Sequence, residues 1–140
     1  KTGIACNLST SMMVDRLAER HGVDLVRTRI GEIHVTETLL DRGFDLGGEG
    51  NGGVIVPSIN PCRDSLVAMG LILELMAAEN RPLSHILGRL PSYVMMKTKH
   101  PLQSMDSKVL YQRILQNGAS LFPGYSCNTL DGIKYHTDSE

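Results

Sequence analysis

Five glycines fall within seven residues at Gly47-Gly48-Glu49-Gly50-Asn51-Gly52-Gly53, and the β-branched run Val54-Ile55-Val56 follows directly before Pro57. Glycine gives up more backbone freedom on ordering than any other residue, so a helix through this stretch is excluded. We expect a loop at 47–53, able to adopt positive φ and to approach a ligand closely, leading into a strand at 54–56. Residues 48–53 satisfy the pattern GxGxxG. A phosphate-cradling version of that pattern needs a strand before it and a helix N-terminus after it, whereas here strand chemistry follows. A dinucleotide-binding oxidoreductase is set aside on that ground.

The loop carries one carboxylate, Glu49, and one carboxamide, Asn51. A carboxylate accepts hydrogen bonds from adjacent hydroxyls, and an amide both donates and accepts, so the pair can read a polyol without a metal. The competing reading of the loop by itself is a mobile glycine turn with two solvated side chains.

The flanking sequence alternates strand and helix. Gly3 to Leu8 reads as a strand, followed by Ser9, Thr10 and Ser11, any of which can cap a helix that starts near Met12 and stops at His21-Gly22. Val23 to Arg27 reads as a second strand, and Gly31 opens a helix through Val35, Leu39 and Leu40 that closes at Arg42-Gly43. Two such units in succession predict an α/β layer with crossover connections. Asp64 to Glu79 reads as a longer helix, expected to be largely buried, with Asp64 as its N-cap; a short helix capped by Ser84 follows Pro82. Beyond Leu90-Pro91-Ser92 a new unit is expected: a strand pattern over Tyr93 to Lys99, a helix over Ser107 to Gln116 stopped by Asn117-Gly118, and a strand over Ile133 to His136.

Composition excludes several classes of function. Lys plus Arg number 14 against 15 Asp plus Glu, a formal charge of -1 that leaves no electrostatic footprint for nucleic acid or an anionic membrane. The apolar stretch Leu66 to Ala78 contains Glu74 and is shorter than the ~20 residues of a membrane span, and the expectation is a soluble, unexported protein. Three widely spaced cysteines, Cys6, Cys62 and Cys127, form no disulfide framework and suit a reducing cytoplasm. The five histidines show no metal-ligand spacing, so no metal site is expected in this chain.

Taken in order, Asn7-Leu8-Ser9-Thr10-Ser11, Ile30-Gly31-Glu32, the glycine stretch with Val54-Ile55, Arg63-Asp64-Ser65-Leu66-Val67 and Leu90-Pro91-Ser92-Tyr93 resemble the α-D-phosphohexomutase family in motif and spacing. That family comprises phosphomannomutase, phosphoglucomutase and phosphoglucosamine mutase. The resemblance implies a three-layer α/β sheet-and-helix domain over residues 1–90, the family's third domain, followed by linker and an incomplete α+β segment over 91–140, the start of its fourth. In the family four domains surround one cleft, and a phosphoserine exchanges phosphoryl groups with a hexose phosphate through a bisphosphorylated sugar. The glycine stretch resembles the family's sugar-specificity loop. By resemblance Glu49 and Asn51 bind sugar hydroxyls, with Glu32 and Ser9 at two further cleft-facing positions and Gly48, Gly50, Gly52 and Gly53 supplying the loop backbone. The alternatives are that Ser9 caps the first helix and that Glu32 favours the N-terminus of the second.

The family's serine loop, its magnesium-binding acidic loop and its phosphate-binding loop have no match in the sequence. The resemblance therefore implies no catalytic residue here, with magnesium and phosphoryl transfer belonging to the full-length parent and the other domains acting as partners. Phosphoryl transfer rests on positioning and charge stabilisation by such groups, so this chain alone is expected to be inactive. The rival from another class is a non-catalytic α/β module that binds a sugar phosphate or a protein.

Overall fold

A computed structural model describes residues 2–137; position 1 and positions 138–140, the outer ends of the two expected segments, lie outside the described residues. The chain forms two compact units that divide between Met95 and Met96, where the sequence suggested a boundary after Leu90.

The first unit opens with β1 (Gly3–Asn7), α1 (Met13–His21), β2 (Asp24–Thr28) and α2 (Glu32–Arg42), followed by β3 (Leu46–Glu49) and β4 (Gly53–Ile55). The sheet order is β2-β1-β3-β4. β1 pairs in parallel with both β2 and β3, and β3 pairs antiparallel with β4. The chain moves outward from β1 to β2, then returns past β1 to β3. Right-handed crossovers in opposite directions place α1 and α2 on opposite faces of the sheet. Both helices end as the sequence indicates, with Gly22 and Gly43 in the left-handed region at φ 61° and 64°.

The glycine stretch is not the seven-residue loop expected. Gly47, Gly48 and Glu49 complete β3 and Gly53 begins β4, so only residues 50–52 form the turn. Backbone pairing needs no side chain, and the absence of one is required at Gly47: a Cβ there would lie 2.9 Å from both the Ala5 carbonyl oxygen and Val35 Cγ1.

One face of the sheet is closed. Ala5, Val35, Leu39, Phe44 and Ile55 form a core in which Leu39, Val35 and Ile55 have no exposed surface. The opposite face carries α3 (Ser65–Glu79), capped as predicted by Asp64, whose carboxylate accepts from the Leu66 and Val67 amides. The expectation that α3 is largely buried is corrected: none of its fifteen residues is buried, and Leu66 and Leu73 are 75% and 63% exposed. An apolar groove of about 570 Å3 lies between α1 and α3, lined by Ile4 and Cys6 of β1, Val14 and Leu17 of α1, and Leu71, Ile72 and Leu75 of α3. Side chains alternate along β1, so Ile4 and Cys6 face away from the core that holds Ala5.

α4 (Leu83–Leu87) begins after Pro82 without a side-chain cap, so Ser84 lies inside the helix and does not cap it. Ile86 is buried. The strand pattern of Tyr93 to Lys99 is not realised, since the segment has no regular structure and no pairing partner, and Val94 is 95% exposed.

The second unit contains α5 (Ser107–Leu121), β5 (Ser126–Asn128) and β6 (Lys134–His136), the strands forming an antiparallel pair. α5 runs through Asn117-Gly118, the expected stop. Gly118 is buried beneath the Tyr135 ring with no room for a Cβ, and Asn117 Nδ2 donates back to the Arg113 carbonyl at 2.8 Å. The tertiary fit of Gly118 overrides its poor helix propensity. Among the described residues no helix is long and apolar enough to cross a membrane.

Candidate functional site

The parallel strands β1, β2 and β3 end at Asn7, Thr28 and Glu49. The C-terminal edge of parallel strands is where open α/β sheets bind ligands, because the connecting loops diverge there and leave a crevice. Three of the four predicted side chains meet at this edge through two residues to which the sequence motifs assigned no site role, Asn7 and Arg63.

Glu49 is the centre of the arrangement. Its Oε1 accepts from Asn7 Nδ2 at 2.7 Å and from the Gly31 amide at 3.2 Å, and its Oε2 lies 3.4 Å from Arg63 Nη1. The side chain is 8% exposed, with Asn7, Gly31 and Arg63 as its polar partners. A carboxylate offers about four acceptor sites, two on each oxygen. Oε1 is filled and Oε2 holds one partner, so one acceptor direction remains.

Ser9 donates from Oγ to Asn7 Oδ1 at 3.0 Å, and Thr10 Oγ1 does the same at 2.9 Å. The expectation that one of Ser9, Thr10 and Ser11 caps α1 is corrected: Met12 holds the N-cap position and no side chain caps the helix, while Ser11 Oγ, one residue earlier, accepts from the Met13 amide at 3.2 Å. Asn7, itself 2% exposed, thus links the serine-threonine loop to Glu49. Burial of a carboxamide is tolerated because both of its ends are satisfied.

Glu32 opens α2 and faces Arg63. Its Oε1 accepts from the Arg63 amide at 2.7 Å and its Oε2 from Arg63 Nε at 2.8 Å. The backbone hydrogen bond from Arg63, then its guanidinium, holds the Glu32 carboxyl below the usual carboxylate range. Arg63 is correspondingly raised, first through its bond to Glu32. Asp64 is lowered by the α3 amide of Val67 first, with Asn60 and Leu66 adding to it.

Asn51 stands apart at the hairpin turn, exposed, with Oδ1 3.4 Å from the Gly53 amide. The turn's proximity to the Ser9-Thr10 loop depends on Gly50, where a Cβ would lie 3.2 Å from Thr10 Cα. Gly53 has a different role: a Cβ there would overlap the Arg63 side chain, with Cγ at 2.6 Å and Cβ at 3.2 Å. Arg63 lies across the bare backbone of β4. The clue to Asn7 was a polar residue closing an apolar strand, and the clue to Arg63 was its position beside the Asp64 cap. Among the described residues no group of three or more His, Cys, Asp or Glu side chains is placed to hold a metal ion.

A sequence model of the family described as "Phosphoglucomutase/phosphomannomutase, alpha/beta/alpha domain III" matches residues 1–93. The phosphoglucomutase/phosphomannomutase of Thermococcus kodakarensis is 31% identical over 131 residues, covering 94% of this chain and 28% of that protein. The probable phosphoglucosamine mutase of Methanopyrus kandleri is 34% identical over 137 residues, covering 96% of this chain and 29% of the relative. The crystal structure of a putative phosphomannomutase from Thermus thermophilus superposes with a TM-score of 0.63 at 25% identity, over 96% of this chain and 28% of that one. The chain thus spans less than a third of the length of these relatives. The family model matches well over half of the chain, and the chain belongs to the phosphoglucomutase/phosphomannomutase family, with residues 1–93 matching its α/β/α domain III.

Proposed function

We propose that this chain is the sugar-recognising domain of a phosphohexomutase that interconverts hexose 1-phosphate and hexose 6-phosphate. The observation that carries the reading is Glu49, held at the C-terminal edge of the sheet by Asn7, Gly31 and Arg63 with one acceptor site of Oε2 unused, while the exposed Asn51 stands two residues on at the hairpin turn. A carboxylate fixed in advance by Asn7, Gly31 and Arg63 loses little freedom when a hydroxyl docks on it, which favours binding. Asn51 supplies the adaptable partner, able to donate or accept as the sugar reverses between its two phosphorylated forms.

The phosphoserine, the phosphate clamp and magnesium belong, on this reading, to the remaining polypeptide of a cytoplasmic parent enzyme. The residues described here do not fit a magnesium site, and no step of their chemistry runs through one. Their work is to bind and orient the sugar.

The test is titration of the 140-residue chain with glucose 1-phosphate and with mannose 1-phosphate, followed by amide NMR. Chemical-shift changes centred on Gly31 and Gly48 to Gly53, weakened about tenfold or more in Glu49→Gln, support the reading, since a hydrogen bond to a charged group contributes roughly 1.5–3 kcal/mol. Shifts that ignore this edge, or a Glu49→Gln variant that binds as the parent chain does, would overturn it.

A further inference from the structure

Arg27 lies on β2, paired in register with Cys6 of β1, and its side chain is 15% exposed. It contributes nothing directly to the Glu49 arrangement, yet three of its five donor contacts converge on the loop that does, and the other two go to Asp15 of α1. Nη1 donates to the carbonyl oxygens of Asn7 at 3.0 Å and Thr10 at 2.9 Å. Nη2 donates to the Ser11 carbonyl at 3.2 Å and also to Asp15 Oδ2, while Nε donates to Asp15 Oδ1 at 3.2 Å. The guanidinium has five N–H groups, and these five contacts use them all.

Three carbonyls from five consecutive residues therefore turn toward one cation. With the Asn7 carbonyl held by Arg27, the Asn7 side chain is left to reach Glu49 Oε1, and the Ser9 and Thr10 hydroxyls close on Asn7 Oδ1. We propose that Arg27 is a positioning residue for sugar recognition: it fixes loop 7–11, and through Asn7 it sets the direction in which Glu49 presents its open acceptor. This rests on the sugar-binding reading of Glu49. Lysine cannot substitute, because an ammonium offers three donors from a single point and cannot span carbonyls on two sides of a plane.

The experiment compares Arg27→Lys with Asp15→Asn in the 140-residue chain. Asp15→Asn weakens the ion pair while leaving the three carbonyl contacts intact, so it controls for loss of stability. The first readout is the Asn7 side-chain amide resonances. The second is affinity for glucose 1-phosphate and mannose 1-phosphate. Arg27→Lys is expected to move the Asn7 resonances toward solvent-exposed values and to weaken binding about tenfold. Asp15→Asn should lower Tm yet leave both readouts where they were. If Arg27→Lys leaves the Asn7 resonances in place, or if Asp15→Asn moves them equally, the positioning role is wrong. Should the parent chain bind neither sugar phosphate, the reading of Glu49 falls, and the Asn7 resonances still decide whether Arg27 orders the loop. If Arg27→Lys does not fold, the parent chain itself provides the measurement: scalar couplings across hydrogen bonds from the Arg27 guanidinium to the Asn7, Thr10 and Ser11 carbonyl carbons support the role, and their absence refutes it.

Discussion

The two faces of the four-stranded sheet are built from similar residues and end in different states. Against α2, Leu39, Val35 and Ile55 are sealed to zero exposure. Against α1 and α3, a helix richer in apolar side chains buries none of its residues and leaves a groove of about 570 Å3. Hydrophobic composition by itself does not close a core; closure requires surfaces that interdigitate, as where Leu39 and Val35 fit against the side-chain-free backbone of Gly47.

The contrast breaks most readily at its tightest point. Leu39→Ala should destabilise the first unit by about 2–5 kcal/mol in urea unfolding, because packing that admits no water collapses poorly around a void. A loss no larger than that of an exposed leucine would contradict the closed description. Gly47→Ala tests the same face from the other direction and should cost about 1–3 kcal/mol, since the added methyl meets the Ala5 carbonyl and the Val35 side chain. Unchanged stability would mean that the sheet relaxes there.

A smaller effect separates the two helices by pH. Glu32 at the start of α2 and Asp64 at the cap of α3 both have carboxyls lowered from ordinary values of 4.5 and 3.8. A lowered folded pKa contributes stability that is complete above the ordinary value and lost as pH falls through the depressed one. Tm measured from neutral to strongly acidic solution should fall through this acid range, and Glu32→Gln and Asp64→Asn should each approach the parent curve at its acid end. Both groups are partly exposed, so added salt should shrink the difference. A gap that persists at low pH would assign their effect to something other than charge. The smallest change is expected on the open face, where Leu73→Ala should stay within about 0.5 kcal/mol because its side chain is already 63% exposed. A loss of core size would show that α3 is covered.

The same contrast explains what could be read in advance. Local signals were reliable where chemistry is local: Gly22 and Gly43 end helices by adopting positive φ, and Asp64 caps α3 with its own carboxylate. The parallel pairing followed from alternating strand and helix patterns. Long-range pairing was hidden. Gly47 and Gly48 enter a strand because β1 and β4 flank them, and Gly118 continues a helix because Tyr135 lies against it. Tyr93 to Lys99 had a strand's composition and found no strand to join. At the site, Glu49, Glu32 and Ser9 were identified and are brought to one edge, but their connection through Asn7 and Arg63 spans separations of 42 and 31 residues. No window of sequence displays such a link. Asn51 was identified from the same stretch and lies outside the connected set.

Gly53 carries no functional group, yet it is the surface on which Arg63 rests. A single methyl at this position would displace a cation from between two acids, Glu32 and Glu49, and leave them facing each other without their common counter-ion. Gly53→Ala should therefore look, in any charge-sensitive assay, like the deletion of an arginine ten residues away. Variation at this glycine is best interpreted as an electrostatic lesion rather than a steric one.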